Sequence, residues 1–263
     1  SFGGIYEKTD TLRFSGFPTY SDGSLVTDFL PRSDFIGSTE NEADIRNGEF
    51  FVDVEHRFDF GGLLKAAGRI FDQDADLRNL LGQSQVDLFT NDFDLFWFAR
   101  DFDQTASYAD INFTAPFDLG RGRSELVIGA DYRRIKQDFK QNFDFSPGTA
   151  NLFTFNPEAY PLPPITFPGV GPGFRLNTTN TIDEYGIYAQ VRAPVTDRFK
   201  VNLGARFSYY DARNEDTGRD LVNENDETNF APYIGATYDV TDTVTGYASY
   251  SEIFQPQTET DAA

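Results

Sequence analysis

The 263-residue chain contains no cysteine, no methionine and a single histidine. Lack of cysteine excludes disulfide scaffolds, thiol catalysis and cysteine-ligated zinc or iron–sulfur centres. Lack of methionine means there is no start residue, and no signal peptide is visible. The chain begins at Ser1 inside a strand-like pattern and stops at Thr260–Ala263 in a polar stretch, so both ends read as cuts in a longer protein. Bases are scarce: 22 Lys and Arg face 42 Asp and Glu, for a net charge of -20. That deficit argues against nucleic acid, whose phosphates need clustered Lys and Arg. No apolar run approaches the ~20 residues of a transmembrane helix.

What the chain has in quantity is strict alternation. In Phe199–Tyr210, the residues Phe199, Val201, Leu203, Ala205, Phe207 and Tyr209 fall on one face, and Lys200, Asn202, Gly204, Arg206 and Ser208 on the other. A period of two means a strand with one oily and one wet face. The same pattern marks Glu49–Phe58, Leu63–Phe71, Ser107–Phe117, Ser124–Arg134, Ile182–Ala193, Asn229–Tyr238 and Val244–Ser251, with a strand end at Ser1–Lys8. The connections Asp59–Gly62, Asp118–Arg123, Pro194–Arg198 and Asp239–Thr243 are short, whereas the gaps 9–48, 72–106, 135–181 and 211–228 are long. Alternating short turns and long loops belong to an outer-membrane barrel; a soluble sandwich mixes loop lengths at both ends. The pattern favours the barrel, so the expected fold is all-β, an antiparallel transmembrane β-barrel segment forming one partial domain over residues 1–263. Its mid-strand charges (Asp53, Lys65, Asp110, Asp131, Arg206) would face a wet interior, although a sandwich could equally turn them to solvent.

No enzyme signature emerges, and no catalytic, cofactor or metal residue is expected. His56 lies on the apolar parity near a turn, where an interfacial or structural role outweighs a Ser–His–Asp reading. Asp72, Asp74 and Asp76 hint at a calcium loop, but the sixth and twelfth positions hold Leu77 and Gln83 where an EF-hand needs Gly and Glu. Gly169–Gly173 has the wrong spacing for a dinucleotide fingerprint and contains Pro172. The gap 72–106 carries eight acids against two bases, and 211–228 seven against two. Loop solubility is the plainer explanation; the alternative is a negative mouth that favours cationic or divalent-bridged species. The gap 135–181 is aromatic and proline-rich, with Phe143, Phe145, Phe153, Phe155 and Tyr160. These rings, like Phe93, Phe96, Trp97 and Phe98, either pack the loops on themselves or meet a ligand. Phe96, Trp97, Phe153 and Tyr160 are the ligand-contact candidates. Strand-end tyrosines such as Tyr132, Tyr185 and Tyr209 fit an aromatic girdle at the lipid boundary.

Several segments carry a resemblance. They are Gly16–Gly23 with Leu30–Ser33, Phe51–Phe58, Gly129–Arg133, Glu184–Gln190, and Tyr233–Asp242 running into Tyr247–Gln257. Together they resemble TonB-dependent ferric-siderophore receptors of the pyoverdine and coprogen/rhodotorulate type, over almost the whole chain. The resemblance implies a 22-stranded barrel of the bacterial outer membrane, with an N-terminal plug and a TonB-box peptide outside these residues. This chain would then run from about the third strand to the loop after the eleventh. It further implies a ferric siderophore as cargo, TonB acting through the plug, and outer-membrane lipid and lipopolysaccharide around the wall. Cobalamin, haem or a glycan as cargo, and a non-transporting β-sheet adhesin, remain as alternatives.

Overall fold

A computed structural model describes residues 1–11, 16–28, 30–31, 34–119, 122–163 and 176–253. Nine strands follow in chain order: β1 (Phe2–Thr11), β2 (Glu42–Arg57), β3 (Leu63–Gly82), β4 (Asp92–Leu119), β5 (Gly122–Asn151), β6 (Leu176–Pro194), β7 (Phe199–Asp216), β8 (Leu221–Asp239) and β9 (Thr245–Ser251). They form one antiparallel sheet in that same order, with single-turn 3-10 helices at Val26–Asp28 and Pro157–Ala159 in two connections. The sheet is open, so β1 and β9 each keep an unpaired edge.

Directly opposed residues share a side of a sheet. Register therefore joins Val54, Ala66, Ile111, Ala130, Ile187, Phe207 and Phe230 into one apolar row across seven strands. Val54, Ile111, Ile187 and Phe230 in that row are more than half exposed. In water such a face is a large uncovered apolar patch; against hydrocarbon it is the outer face of a barrel wall. Tyr132, Tyr185 and Tyr209 stand opposite one another at its upper edge, with ring centroids 4.9 and 6.3 Å apart. Phe199 opposite Tyr238 marks the lower edge. The ten steps from Phe199 to Tyr209 cover about 33 Å of strand at ~3.3 Å per residue. Tilted by ~40°, that is about 25 Å of height, the thickness of an outer-membrane apolar band.

The inner face is polar, and two of its side chains reach across a whole strand. Tyr188 on β6 passes over Gly129 on β5 and donates its hydroxyl to Asp110 on β4 (3.0 Å). Arg206 on β7 passes over Gly186 on β6 to grip Asp131 on β5 with both terminal nitrogens, Nη2 at 2.8 Å from Oδ1. Both crossings need a missing side chain underneath. A Cβ at Gly186 would collide with the Arg206 guanidinium, and one at Gly129 would meet the Tyr188 ring and the Ile111 carbonyl. Gly186→Val in the full-length protein is therefore expected to cost about 2 kcal/mol, the order expected for unpairing a half-buried ion pair. Adding it to Arg206→Ala should cost little more, because the groups act as one unit. Additive losses in urea unfolding would refute the coupling.

The lower ends of the strands join as expected. Phe58 N–H donates to Gly62 O (2.9 Å) around Gly61, whose φ of +89° suits glycine. Val195 N–H reaches Phe199 O and Val240 N–H reaches Val244 O in the turns after β6 and β8, while residues 120–121 of the Asp118–Arg123 turn lie outside the described residues. The upper ends differ from expectation. β3 runs on to Gly82, β4 starts at Asp92, β5 runs to Asn151, β6 starts at Leu176, β7 runs to Asp216 and β8 starts at Leu221. The gaps 72–106 and 211–228 are thus mostly strand, and the second closes in a turn over residues 217–220, not a long loop. The cause is a change of solvent. Above the tyrosine row the outer face meets water, so Asp72, Asp74 and Asp76 occupy positions that lower down hold Ile70 and Ala66. The period of two survives while its polarity inverts.

Candidate functional site

Above the tyrosine row, β3–β5 form a ribbon with two unlike faces. The outer face collects the acids. Asp74 on β3 is opposite Asp103 on β4, which is opposite Asp138 on β5; Asp76 is opposite Asp101. Arg46, Arg78 and Lys140 stand among them. Partial burial, followed by the Asp74 carboxylate, pushes the Asp103 carboxyl above its ordinary value. Partial burial likewise raises Asp76 against the pull of Arg78. Asp138 is held low by the Thr179 hydroxyl, which donates at 2.5 Å. The Asp-x-Asp-x-Asp run is the spacing of one strand face, and these acids turn away from the interior. On β3–β5, therefore, Asp72, Asp74, Asp76, Asp101 and Asp103 do not line the interior. Among the described residues no group of His, Cys, Asp and Glu is arranged to hold a metal ion.

The inner face of the same ribbon is aromatic. Phe98, Arg100 and Phe102 alternate along β4, and Phe139, Gln141 and Phe143 along β5. The Arg100 guanidinium carbon lies 5.0 Å from the Phe98 centroid and 4.9 Å from that of Phe139, while Nη2 donates to Gln141 Oε1 at 2.9 Å. Phe96 sits where the β4–β5 register shifts, between Leu95 and Trp97. The bulge aims its ring at Phe143 and Phe145, with centroids at 5.6 and 5.8 Å. From Phe71 to Leu81 on β3, Phe96 to Ala106 on β4, Ile135 to Phe145 on β5 and Leu176 to Ile182 on β6, Arg100 is the sole ionisable side chain on this inner face.

The tips of the ribbon carry a hydrophobic core of their own. Leu80, Phe93, Leu95 and Trp97 are buried against Tyr20, Val26, Ile36, Val86, Ala150 and Leu152. Hydrogen bonds lock the segments together. Val86 N–H donates to Thr19 O (2.8 Å), Tyr20 Oη to Asn91 Oδ1 (3.1 Å), Ser38 Oγ to Tyr160 O (2.5 Å) and Leu80 N–H to Asn41 Oδ1 (2.8 Å). Three connections distant in sequence thus fold into one cap.

This geometry separates the four ligand-contact candidates. Phe96 is on the inner aromatic face. Trp97, its neighbour in the strand, points the other way and is 2 % exposed inside the cap core. Tyr160 stacks on Phe155 (5.3 Å) beside that core. Phe153 is 55 % exposed at the tip. Arg100, Phe102 and Phe139 were not singled out by sequence, although their spacing at every second residue was the signal. His56 packs edge-on against Phe58 (4.5 Å). Pro164, Pro168, Gly169–Gly173 and the resembling stretches at 32–33 and 254–257 lie outside the described residues.

Comparison with known proteins adds three findings. The family model described as TonB dependent receptor-like, beta-barrel, matches residues 2–263. The ferric-pyoverdine M114 receptor PbuA of Pseudomonas sp. (strain M114) is 26% identical over 97% of this chain and 32% of its own length. The ferric-pyoverdine BN7/BN8 receptor of Pseudomonas putida is 30% identical over 56% of this chain and 19% of its own. The chain spans a third or less of the length of these curated relatives. Among solved structures, the ferripyoverdine receptor of the Pseudomonas aeruginosa outer membrane, bound to ferripyoverdine, superposes with a TM-score of 0.75 at 23% identity, covering 97% of this chain and 33% of that one. The ferric-catecholate import receptor Fiu of E. coli K12 gives 0.70 at 16% identity, covering 97% and 44%.

Proposed function

The chain belongs to the TonB-dependent receptor β-barrel family, and from that premise we propose that it is an arc of an outer-membrane receptor that imports ferric siderophores with energy supplied through TonB. Residues 1–263 are read as one partial barrel domain. The wall's part is to anchor in lipid, to enclose the passage and to present ligand-binding groups; no residue of it performs a reaction. The observation that carries the cargo assignment is the inner aromatic face around Arg100, where from Phe71 to Leu81 on β3, Phe96 to Ala106 on β4, Ile135 to Phe145 on β5 and Leu176 to Ile182 on β6 no carboxylate faces inward. A guanidinium framed by phenylalanines suits neutral or anionic chelates that expose planar rings. Relatives named for ferric-pyoverdine reception point the same way.

The test is Arg100→Ala and, separately, Phe96→Ala in the full-length receptor, with ferripyoverdine affinity measured by titration in detergent. Arg100→Ala is expected to weaken binding about tenfold, equivalent to ~1.4 kcal/mol. Phe96→Ala should weaken it several-fold. Unchanged affinity in both variants would remove this face from the binding site.

A further inference from the structure

One inner row of the wall carries a carboxamide on every strand from β2 to β8, with Glu7 of the edge strand β1 beyond its end. Register places Asn47, Gln73, Gln104, Gln137, Asn180 and Asn214 directly opposite one another on six consecutive strands. Asn223 on β8 extends the row to a seventh. At ~4.8 Å per strand it runs about 29 Å around the interior. On β3–β6 the row beneath is apolar (Phe71, Ala106, Ile135, Ile182), with Glu49 next to it on β2, and the row above holds Phe102 and Phe139 of the aromatic face.

A ladder that merely tied neighbouring strands would bond at every step. This one bonds at alternate steps. Gln73 donates to Asn47 (2.8 Å), Gln137 donates to Gln104 (2.6 Å), and Asn214 donates to Asn180. Each carboxamide offers two N–H donors and an oxygen with two lone pairs. The pairings use one donor of one partner and one lone pair of the other. The junctions Gln73–Gln104 and Gln137–Asn180 are left without a side-chain bond among the described residues, half-buried on the inner face and flanked by aromatic and apolar rows. Such a row discriminates against neither charge sign and both donates and accepts, so it recognises groups that do the same.

We propose that this carboxamide row is a second ligand-binding element, a shelf for an uncharged amide- or hydroxyl-bearing arm of the cargo whose chelate rests on the aromatic–guanidinium face just above. The assignment rests on the siderophore reading.

The test uses the full-length receptor and three synthetic probes: an arm-free ferric tris-catecholate, the same chelate bearing a short neutral peptide, and the same chelate bearing a maltosyl group. In the unaltered receptor at least one armed probe is expected to bind about tenfold more tightly than the arm-free chelate. The arm that gains identifies the source as amide or hydroxyl. The double variant Gln104→Leu/Gln137→Leu should lose that gain and bind the arm-free chelate as before; Asn180→Ala provides a milder second variant. Resistance to unfolding in cold detergent checks that each variant is folded. Equal binding of armed and arm-free chelates, or a gain that survives in both variants, would overturn the shelf. Failure of the unaltered receptor to bind any ferric probe would instead overturn the siderophore reading on which it rests.

Discussion

Trp97→Ala is expected to open the cap at the top of the ribbon at a local cost of about 3–5 kcal/mol, the usual range for truncating a buried tryptophan. Trp97 is 2 % exposed, and its core draws on the 17–41 connection, the 83–91 turn and the end of β5. None of these pieces has another apolar core among the described residues, so the hole has little from which to repack. The cost should stay local, because the lipid-crossing rows are tens of ångströms away along the strands. Hydrogen exchange should accelerate sharply in residues 17–41 and 150–162, and proteases should cut there first, while the receptor still inserts and resists unfolding in cold detergent. Unchanged exchange in both segments would show that the cap does not depend on this core. Phe96→Ala, one residue away, should leave exchange untouched and weaken ligand instead. The two variants together separate a packing residue from a contact residue.

Leu203→Arg is expected to destabilise insertion by about 2–4 kcal/mol, the range for a guanidinium near the middle of a lipid-facing wall. Leu203 is 46 % exposed on the outer face, opposite Val191 and Ile234, about halfway between Phe199 and Tyr209. No water or partner is available to a charge at that depth. Gln190→Arg, at the same height on the inner face beside Asn202, should cost well under half as much, because it enters a polar interior. The comparison is a urea titration of the full-length receptor in bilayers. Equal losses for the two substitutions would mean that the outer face is not the one in contact with lipid.

The lipid-crossing half of each strand was legible because oil on one side and water on the other write an unambiguous alternation. Ile111, Ile187 and Leu203 all stood on the side read for them. The extensions were not legible, because the charged residues on their outer parity, such as Asp72, Asp74 and Asp76, make the run look like an acidic loop although the period of two continues. Asp72, Asp74 and Asp76 imitated the start of a calcium loop for that reason. The binding face was half legible: the phenylalanines were noticed, but Phe96 and Trp97 were grouped although adjacent strand residues point to opposite sides. The cap core joins Tyr20, Leu80 and Leu152 across more than a hundred residues, a pairing that no local pattern announces. Gly129 and Gly186 are the gaps through which Tyr188 and Arg206 reach their partners, a role that shows only once the strands are side by side.

The unequal strand extensions give the wall a sloping rim. β5 climbs from Tyr132 to Asn151, about 60 Å of strand, whereas β7 climbs from Tyr209 to only Asp216, about 23 Å, before its four-residue turn. A solute arriving from outside meets a tall screen on the β4–β5 side and a low sill on the β7–β8 side. On the proposed reading, a small chelate entering over the sill would face the aromatic rows of the tall side, with the carboxamide row running beneath them from β2 to β8. On the same reading, a body much wider than the passage would meet the β4–β5 screen first, at a distance from the membrane set by the length of those two strands.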